Sequence, residues 1–185
     1  MKTTIKDIAT IQTGVFAKPA TTGDIVYLQV RHFDEFGELV GQLQPDLLAG
    51  EVNNKHLLLA GDVLFSAKGT KNFAAVFGSQ NLACVASTSF FVLRCLDNSV
   101  LPEYLAWYIN HPNSQSFLKG EARGTSIPSI SKSMLEILEI IIPAIPIQKL
   151  ILKIAGLRNR ENKLIMQIET LREKQIQQQI FNALK

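Results

Sequence analysis

The chain is poor in the residues that metal and thiol chemistry need, with three histidines and two cysteines in 185 residues. His32, His56 and His111 stand apart, and none has the Cys/His spacing of a zinc site. Cys84 and Cys95 sit inside apolar runs, which suits buried thiols in a reducing compartment better than a disulfide. No apolar run reaches the roughly 18–20 residues that cross a bilayer. The opening stretch, MKTTIKDIATIQTG, lacks a long apolar segment and a small-residue cleavage site, so no signal peptide is expected and the cytoplasm is the expected compartment. No Walker A sequence, G-x-G-x-x-G fingerprint or G-x-S-x-G elbow occurs, which leaves nucleotide binding and serine hydrolysis unsupported. An acid-x-Lys element of the nuclease kind occurs only at Glu161-Asn162-Lys163, within a helical stretch, where it reads as chance. The Asn/Asp-Pro-Pro-aromatic element of a DNA methyltransferase is missing as well. These absences favour a binding module over an enzyme.

What is present is ordinary globular composition, 46% hydrophobic and 19% charged, enough for one domain with a core and an appendage. The net charge of +3 is unevenly placed. Residues 1–146 hold 11 Lys/Arg against 13 Asp/Glu, and residues 147–185 hold 8 against 3. A nucleic-acid surface on the first part would have to concentrate its positive charge on loops. The basic tail reads equally well as a solvated helix face.

Periodicity gives an α+β order. TIKDIATIQTG spaces Ile5, Ile8 and Ile11 as a short helix ending at Gly14 would. Strands are expected in 24–33, in DVLFSA, in KNFAAVFG and in LACVASTSFFVLRCL, the last with the apolar run Phe90–Leu93 of a strand buried on both faces. Gly37 marks a turn. A helix is expected from Pro102 to before Pro112, and a further turn or two closing at Gly120. Ser133 and Glu136 match a capping box. The expected body is a compact domain with a twisted mixed β-sheet and peripheral helices, over 1–146.

Residues 147–185 read as one long helix, with no proline and only Gly156 as a breaker. Leu150, Ile154, Leu157, Glu161, Leu164, Ile168 and Leu171 alternate spacings of four and three, a coiled-coil seam with one polar position. The stripe then slips to Ile176, Ile180 and Leu184. Such a seam wants a second helix, from another copy or a partner; the alternative is that it folds back on its own domain. Leu150, Ile154, Leu157, Leu164, Ile168 and Leu171 are the expected dimerisation residues.

Several of these stretches, in this order, look like one known family. They are Gly61-Asp62-Val63-Leu64 followed by Gly69-Thr70, the helix from Pro102 to Ile109, the loop from Gly124 to Ser131, and the corner from Ile142-Pro143 to Pro146 with Gln148. The chain resembles the DNA-specificity subunit of type I restriction–modification systems, nearly end to end. It departs in the corner PAIPIQKLI, which keeps Gln148 without the family's preceding Glu. Family subunits carry two target-recognition domains and two long antiparallel helices, and this chain holds one of each. The resemblance therefore implies a non-catalytic half-subunit that reads double-stranded DNA as a homodimer or beside another half-subunit. It also implies methyltransferase subunits as partners, which would bring S-adenosylmethionine while this chain binds no cofactor directly, and a restriction (motor–nuclease) subunit as a further partner.

Loops at strand ends are the natural carriers of phosphate and base contacts. The candidates are Lys68, Thr70, Lys71 and Asn72 from AKGTKN, Arg123, Thr125 and Ser126 from ARGTS, and Lys18, Arg31 and His32 as weaker ones. Arg can grip guanine and Asn adenine through two hydrogen bonds. For each, the bland reading is solvated surface or a turn-stabilising hydroxyl. The competing function is a protein–protein adaptor whose coiled coil is the working surface; salt-dependent DNA binding would separate the two.

Overall fold

The computed structural model describes residues 2–34, 37–69, 72–78, 82–120 and 129–184. The chain divides into two compact units, Met1–Ile145 and Pro146–Lys185.

The first unit opens with strand β1 (Lys2–Thr4), a 3-10 turn at Ile5–Asp7 and strand β2 (Ala9–Thr13). This departs from the helix expected there. Thr3, Thr4, Thr10 and Thr13 favour extended backbone, and β2 pairs antiparallel with a later strand. The 3-10 turn is held by the Asp7 carboxylate, which accepts from the Thr4 N–H at 3.1 Å and from the hydroxyls of Thr3 and Thr4. Those bonds keep its pKa below the usual carboxylate range.

Strands β3 (Ile25–Leu28), β4 (Val63–Ser66), β5 (Ala74–Val76), β6 (Ala83–Ala86) and β7 (Phe90–Cys95) follow. The run LACVASTSFFVLRCL is thus two strands, parted at Ser87–Ser89. Among the described residues, parallel and antiparallel pairing both occur, shared among three sheets. The largest is antiparallel, in the order β2-β7-β4-β5, with Leu93 opposite both Ile11 and Val63. β3 and β6 form a parallel pair, with Leu28 opposite Ala86. β1 pairs antiparallel with β8 (Glu139–Ile141). Every residue of β3 and of β4 is buried, so both strands read as continuous apolar runs rather than alternating ones.

Helices α1 (Pro102–Asn110), α2 (Pro112–Gly120) and α3 (Lys132–Glu136) are peripheral to these sheets. Pro102 opens α1, where a missing N–H costs nothing. At the other end of α1, the Asn110 side-chain amide pairs with β5, accepting from the Ala74 N–H at 2.8 Å and donating to its carbonyl at 2.7 Å. It serves as one residue of an added strand and satisfies part of a sheet edge. The Tyr104 hydroxyl ties α1 to β8 by donating to the Ile141 carbonyl at 2.8 Å. The cap of α3 is Ser131, whose Oγ accepts from the Met134 N–H at 3.2 Å. Ser133, two positions on, lies inside the helix. Phe65, Phe90, Leu64, Leu93, Leu105 and Ile109 are fully buried, each worth about 2–3 kcal/mol relative to exposure.

The second unit consists of α4 (Ile145–Ala183), 39 residues that span roughly 58 Å at 1.5 Å per residue. It starts two positions earlier than expected, because Pro146 fits the first helical turn. Leu, Ile, Lys, Gln, Arg and Glu supply its helix propensity. Arg158 and Glu161 add an ion pair at 3.1 Å. Leu150, Ile154, Leu157, Leu164, Ile168 and Leu171 are all exposed, as are Ile147 and Ile176. No helix among the described residues is long and apolar enough to cross a membrane.

Candidate nucleic-acid interface

Strand directions decide where the nominated side chains fall. In the largest sheet, β7 starts at Phe90, opposite the end of β4 at Ser66 and next to the end of β2 at Thr13. β5 begins near the same end, with the Ser66 N–H donating to the Phe73 carbonyl at 2.8 Å. β3 and β6, being parallel, both end there too, where the Ser87 N–H donates to the Leu28 carbonyl at 2.8 Å. The corner Ser87–Ser89 is therefore the hub of one rim. The Val15 N–H donates to the Ala86 carbonyl at 2.8 Å, and the Ala67 N–H to the Ser89 carbonyl at 2.9 Å.

That rim collects four of the described candidates: Arg31 and His32 follow β3, and Lys68 and Asn72 stand between β4 and β5. Lys18 is exposed, but the chain past it turns to the start of β3, where the Ala20 N–H donates to the Asp46 carbonyl at 2.7 Å and the Asp46 N–H to the Ile25 carbonyl at 3.0 Å. Thr70, Lys71, Arg123, Thr125 and Ser126 lie outside the described residues. The described chain resumes at this rim with Ser129 and Ile130. Lys68 and Ser129 form an antiparallel bridge, and the Ile130 N–H donates to the Ala67 carbonyl at 2.9 Å.

Local chemistry shapes each candidate. Gly69 sits at a φ of +96°, a backbone conformation that L side chains rarely adopt, and lets the chain turn sharply after Lys68. Lys68 itself is exposed. Asn72 is half-buried, and its Nδ2 donates to the Ser66 carbonyl at 3.0 Å, closing the loop from inside. Reading adenine through two bonds would require that clamp to open, so Asn72 is as much a loop fastener as a reader. Phe73, beside it, stacks with Phe33 at 5.5 Å and with Phe90 at 6.2 Å. This aromatic cluster fixes the Arg31–His32 turn relative to the Lys68–Asn72 turn.

The Arg31–His32 turn has a particular polarity. The Gln29 N–H faces His32 Nδ1 at 3.2 Å, and the Arg31 Nε–H faces His32 Nε2 at 3.4 Å. A neutral imidazole accepts one of the two, so the ring is held between the backbone and the guanidinium. Burial, and then the Arg31 charge, hold the His32 pKa below its ordinary value.

One nearby residue escaped the sequence reading. Phe16, two positions before Lys18, is 78% exposed; an aromatic next to a cation just past a strand end was the available signal. Asp62 also went unassigned, although its motif was noticed. It is 1% exposed and held by Arg94 through two bonds of 2.7 Å, while it accepts from the Leu59 N–H at 2.8 Å. It lies at the opposite end of β4 from the rim, which makes it a fold-holding group. Among the described residues, no group of three or more His, Cys, Asp or Glu is placed to hold a metal ion. Burial pushes the thiols of Cys84 and Cys95 up to about 11 each, so both stay protonated and unreactive near neutral pH.

The α+β body thus presents exposed Arg31 and Lys68 at one set of strand ends, and the long helix carries an exposed apolar stripe. The sequence matches the type I restriction modification DNA specificity domain over residues 1–178, and the chain belongs to that family. Solved structures share its fold. The HsdS subunit from Thermoanaerobacter tengcongensis superposes with a TM-score of 0.66 at 22% identity, over 89% of this chain and 43% of that one. The S subunit of a type I restriction–modification system from M. genitalium gives 0.58 at 16%, over 86% and 39%. A chain from a study of complex assembly and conformational transition of the type I R-M system gives 0.63 at 15%, over 87% and 38%. The chain thus spans about two fifths of the length of these relatives. No curated protein matches.

Proposed function

We propose that this chain is a non-catalytic specificity module that reads one half of a bipartite DNA target and, through α4, pairs with a second copy or another half-subunit. Methyltransferase subunits, carrying S-adenosylmethionine, would dock on the pair and modify the target, with a restriction subunit as a further partner, in the cytoplasm. One observation supports this reading beyond family membership: segments separated by up to 41 residues in sequence bring Arg31, His32, Lys68 and Asn72 to one rim. Arg31 and Lys68 are exposed there, as cations of a phosphate-facing surface need to be. Two copies related by a two-fold axis would read inverted half-sites at a spacing set by the helices.

Methylome mapping or footprinting should find a palindromic target split by an unspecified centre; a continuous, asymmetric target would rule out the symmetric pair. Binding to mixed DNA should weaken steeply with salt, and salt-independent or absent binding would favour an adaptor. Arg123→Ala should weaken binding by about 1–3 kcal/mol if Arg123 reads a base, and unchanged fluorescence anisotropy would remove it from the interface. Leu164→Glu with Ile168→Glu should give monomers by light scattering with the body still folded.

A further inference from the structure

We propose that Phe16 is a specificity residue of the DNA-facing rim, and that its ring packs on the methyl group of a thymine in the major groove of the target half-site. The inference rests on the DNA reading proposed above and adds an apolar base contact to that surface.

Phe16 is 78% exposed, and no other large apolar residue described in the first unit exceeds 58%. A ring turned to water is unfavourable, and a loose segment would relieve this by laying the ring down on the body. This segment is pinned on both sides. The Gly14 N–H donates to the Phe90 carbonyl at 3.0 Å, and a Cβ on Gly14 would stand 2.1 Å from the Ser87 carbonyl oxygen, so the exit of β2 lies directly on the corner between β6 and β7. The Val15 N–H donates to the Ala86 carbonyl at 2.8 Å, and the Val15 carbonyl accepts from the Tyr27 hydroxyl at 2.9 Å. The Ala17 N–H donates to the same hydroxyl oxygen at 3.4 Å. Val15 and Ala17 both pack on the buried cluster of Ile25, Tyr27, Leu47 and Val85. With its two neighbours fixed inward, Phe16 is held outward. The largest of three consecutive apolar side chains is the one left in water.

Its place is the rim. Val15 pairs with Ser87 in a parallel bridge, and Ala67, whose N–H donates to the Ser89 carbonyl, precedes Lys68. Phe16 and Lys68 therefore each stand one residue beyond a contact with the corner Ser87–Ser89. Arg31 follows β3, whose last carbonyl, that of Leu28, accepts from the Ser87 N–H. Arg31 and Lys68 are exposed and can hold phosphates. A phenyl ring cannot. The outer face of a duplex is charged and hydrated, and its apolar surfaces are the faces of the bases and the thymine methyls. A phenylalanine at a DNA-facing rim therefore contacts bases.

Magnitude decides between the two kinds of base contact. Wedging the ring between base pairs unstacks a step, which costs about as much as burial of one ring recovers. Packing on a thymine methyl leaves the bases stacked, and that methyl is displayed in the major groove. The methyl contact is the favoured one, and it makes Phe16 a reader of one A·T pair in one orientation.

The test selects from a pool of duplexes with a random core, with the unaltered full chain and with Phe16→Ala in parallel. The unaltered chain should enrich a thymine at one position of each half-site that the Phe16→Ala chain leaves open, with the other positions kept. Uracil in place of that thymine removes only the methyl. It should weaken binding of the unaltered chain roughly fourfold per half-site, the worth of one buried methyl, and binding of Phe16→Ala by less than about twofold. Phe16→Leu, apolar without a ring, should keep the thymine preference. The same selected sequence from the unaltered chain and Phe16→Ala, or equal sensitivity of both to uracil, would overturn the contact and leave the DNA reading standing. Weaker binding by Phe16→Ala with no effect of uracil, and with a fluorescent base analogue unstacked at one step by the unaltered chain, would make Phe16 a wedge and likewise overturn it. No enriched sequence with the unaltered chain would overturn the DNA reading itself. Circular dichroism of Phe16→Ala should match that of the unaltered chain, because the ring is exposed.

Discussion

At one end of β4, Asp62 is buried and its carboxylate is saturated by Arg94 and by the Leu59 N–H. At the other end, Lys68 stands exposed after the strand, and its neighbour Gly69 turns the chain away. Both charges belong to the stretch GDVLFSAKG. The Asp62 carboxylate, bonded to the Arg94 guanidinium, holds the Arg94 pKa above its ordinary value, so the guanidinium stays charged at any physiological pH. The charge at the first end is committed to the fold. At the second it remains available to a partner, and the same division separates the locked turn at Leu59–Asp62 from the whole rim around Ser87–Ser89. Motif membership therefore does not tell which charged residue holds the fold; burial and satisfaction do.

The strongest way to break this contrast is at the locked end. Arg94→Ala should cost about 3 kcal/mol, because it strands a buried carboxylate without its countercharge. Asp62→Ala should cost less, about 2 kcal/mol, because the Arg94 side chain is 38% exposed and can turn to water. Urea denaturation measures both. Equal and small losses would mean that the pair behaves like a surface ion pair and that the two ends of β4 do not differ as described.

Lys68→Ala sharpens the other side. Stability should stay within about 0.5 kcal/mol, while DNA affinity falls for every sequence alike and the salt slope of log K shrinks by about one. A loss confined to one target sequence would make Lys68 a base reader, and no loss at all would take this exposed cation out of the interface.

How much of this was readable beforehand follows from the same physics. The long helix and α1 were legible, because proline placement and three-four spacing are local signals. Strands β3, β4 and β5 were legible from apolar runs bounded by turns. The start of the chain was not: Ile5, Ile8 and Ile11 fit a helix face, but Ala9 and Ile11 also alternate inward along β2, and only pairing with β7 decides between them. The hub at Ser87–Ser89 was hidden inside an apolar run, since its break is made by polar residues with no Gly or Pro. Asp62 and Arg94 lie 32 positions apart and meet only when β4 and β7 pair. The nominated rim residues came from loop chemistry alone, and their gathering at one end depended on strand direction, which composition does not encode.

The smallest expected effect tests the Arg31–His32 turn. Burial and Arg31 depress the His32 pKa, so the folded chain binds fewer protons than the unfolded chain near that pKa. The stability this contributes is present above the unfolded value, about 6.5, and is lost as pH falls through the lower folded value. His32→Asn, which keeps an acceptor for the Gln29 N–H, should flatten that acid-side loss in a urea series. DNA reverses the sign at the same group. A phosphate brought beside Arg31 and His32 would favour the charged imidazole and raise its pKa, so binding would take up a proton. Affinity should then tighten by roughly threefold between pH 7.5 and pH 6 at constant salt. The His32→Asn chain should show no such gain. If the gain persists in that variant, its source lies elsewhere, and if the unaltered chain shows none, no phosphate approaches this turn.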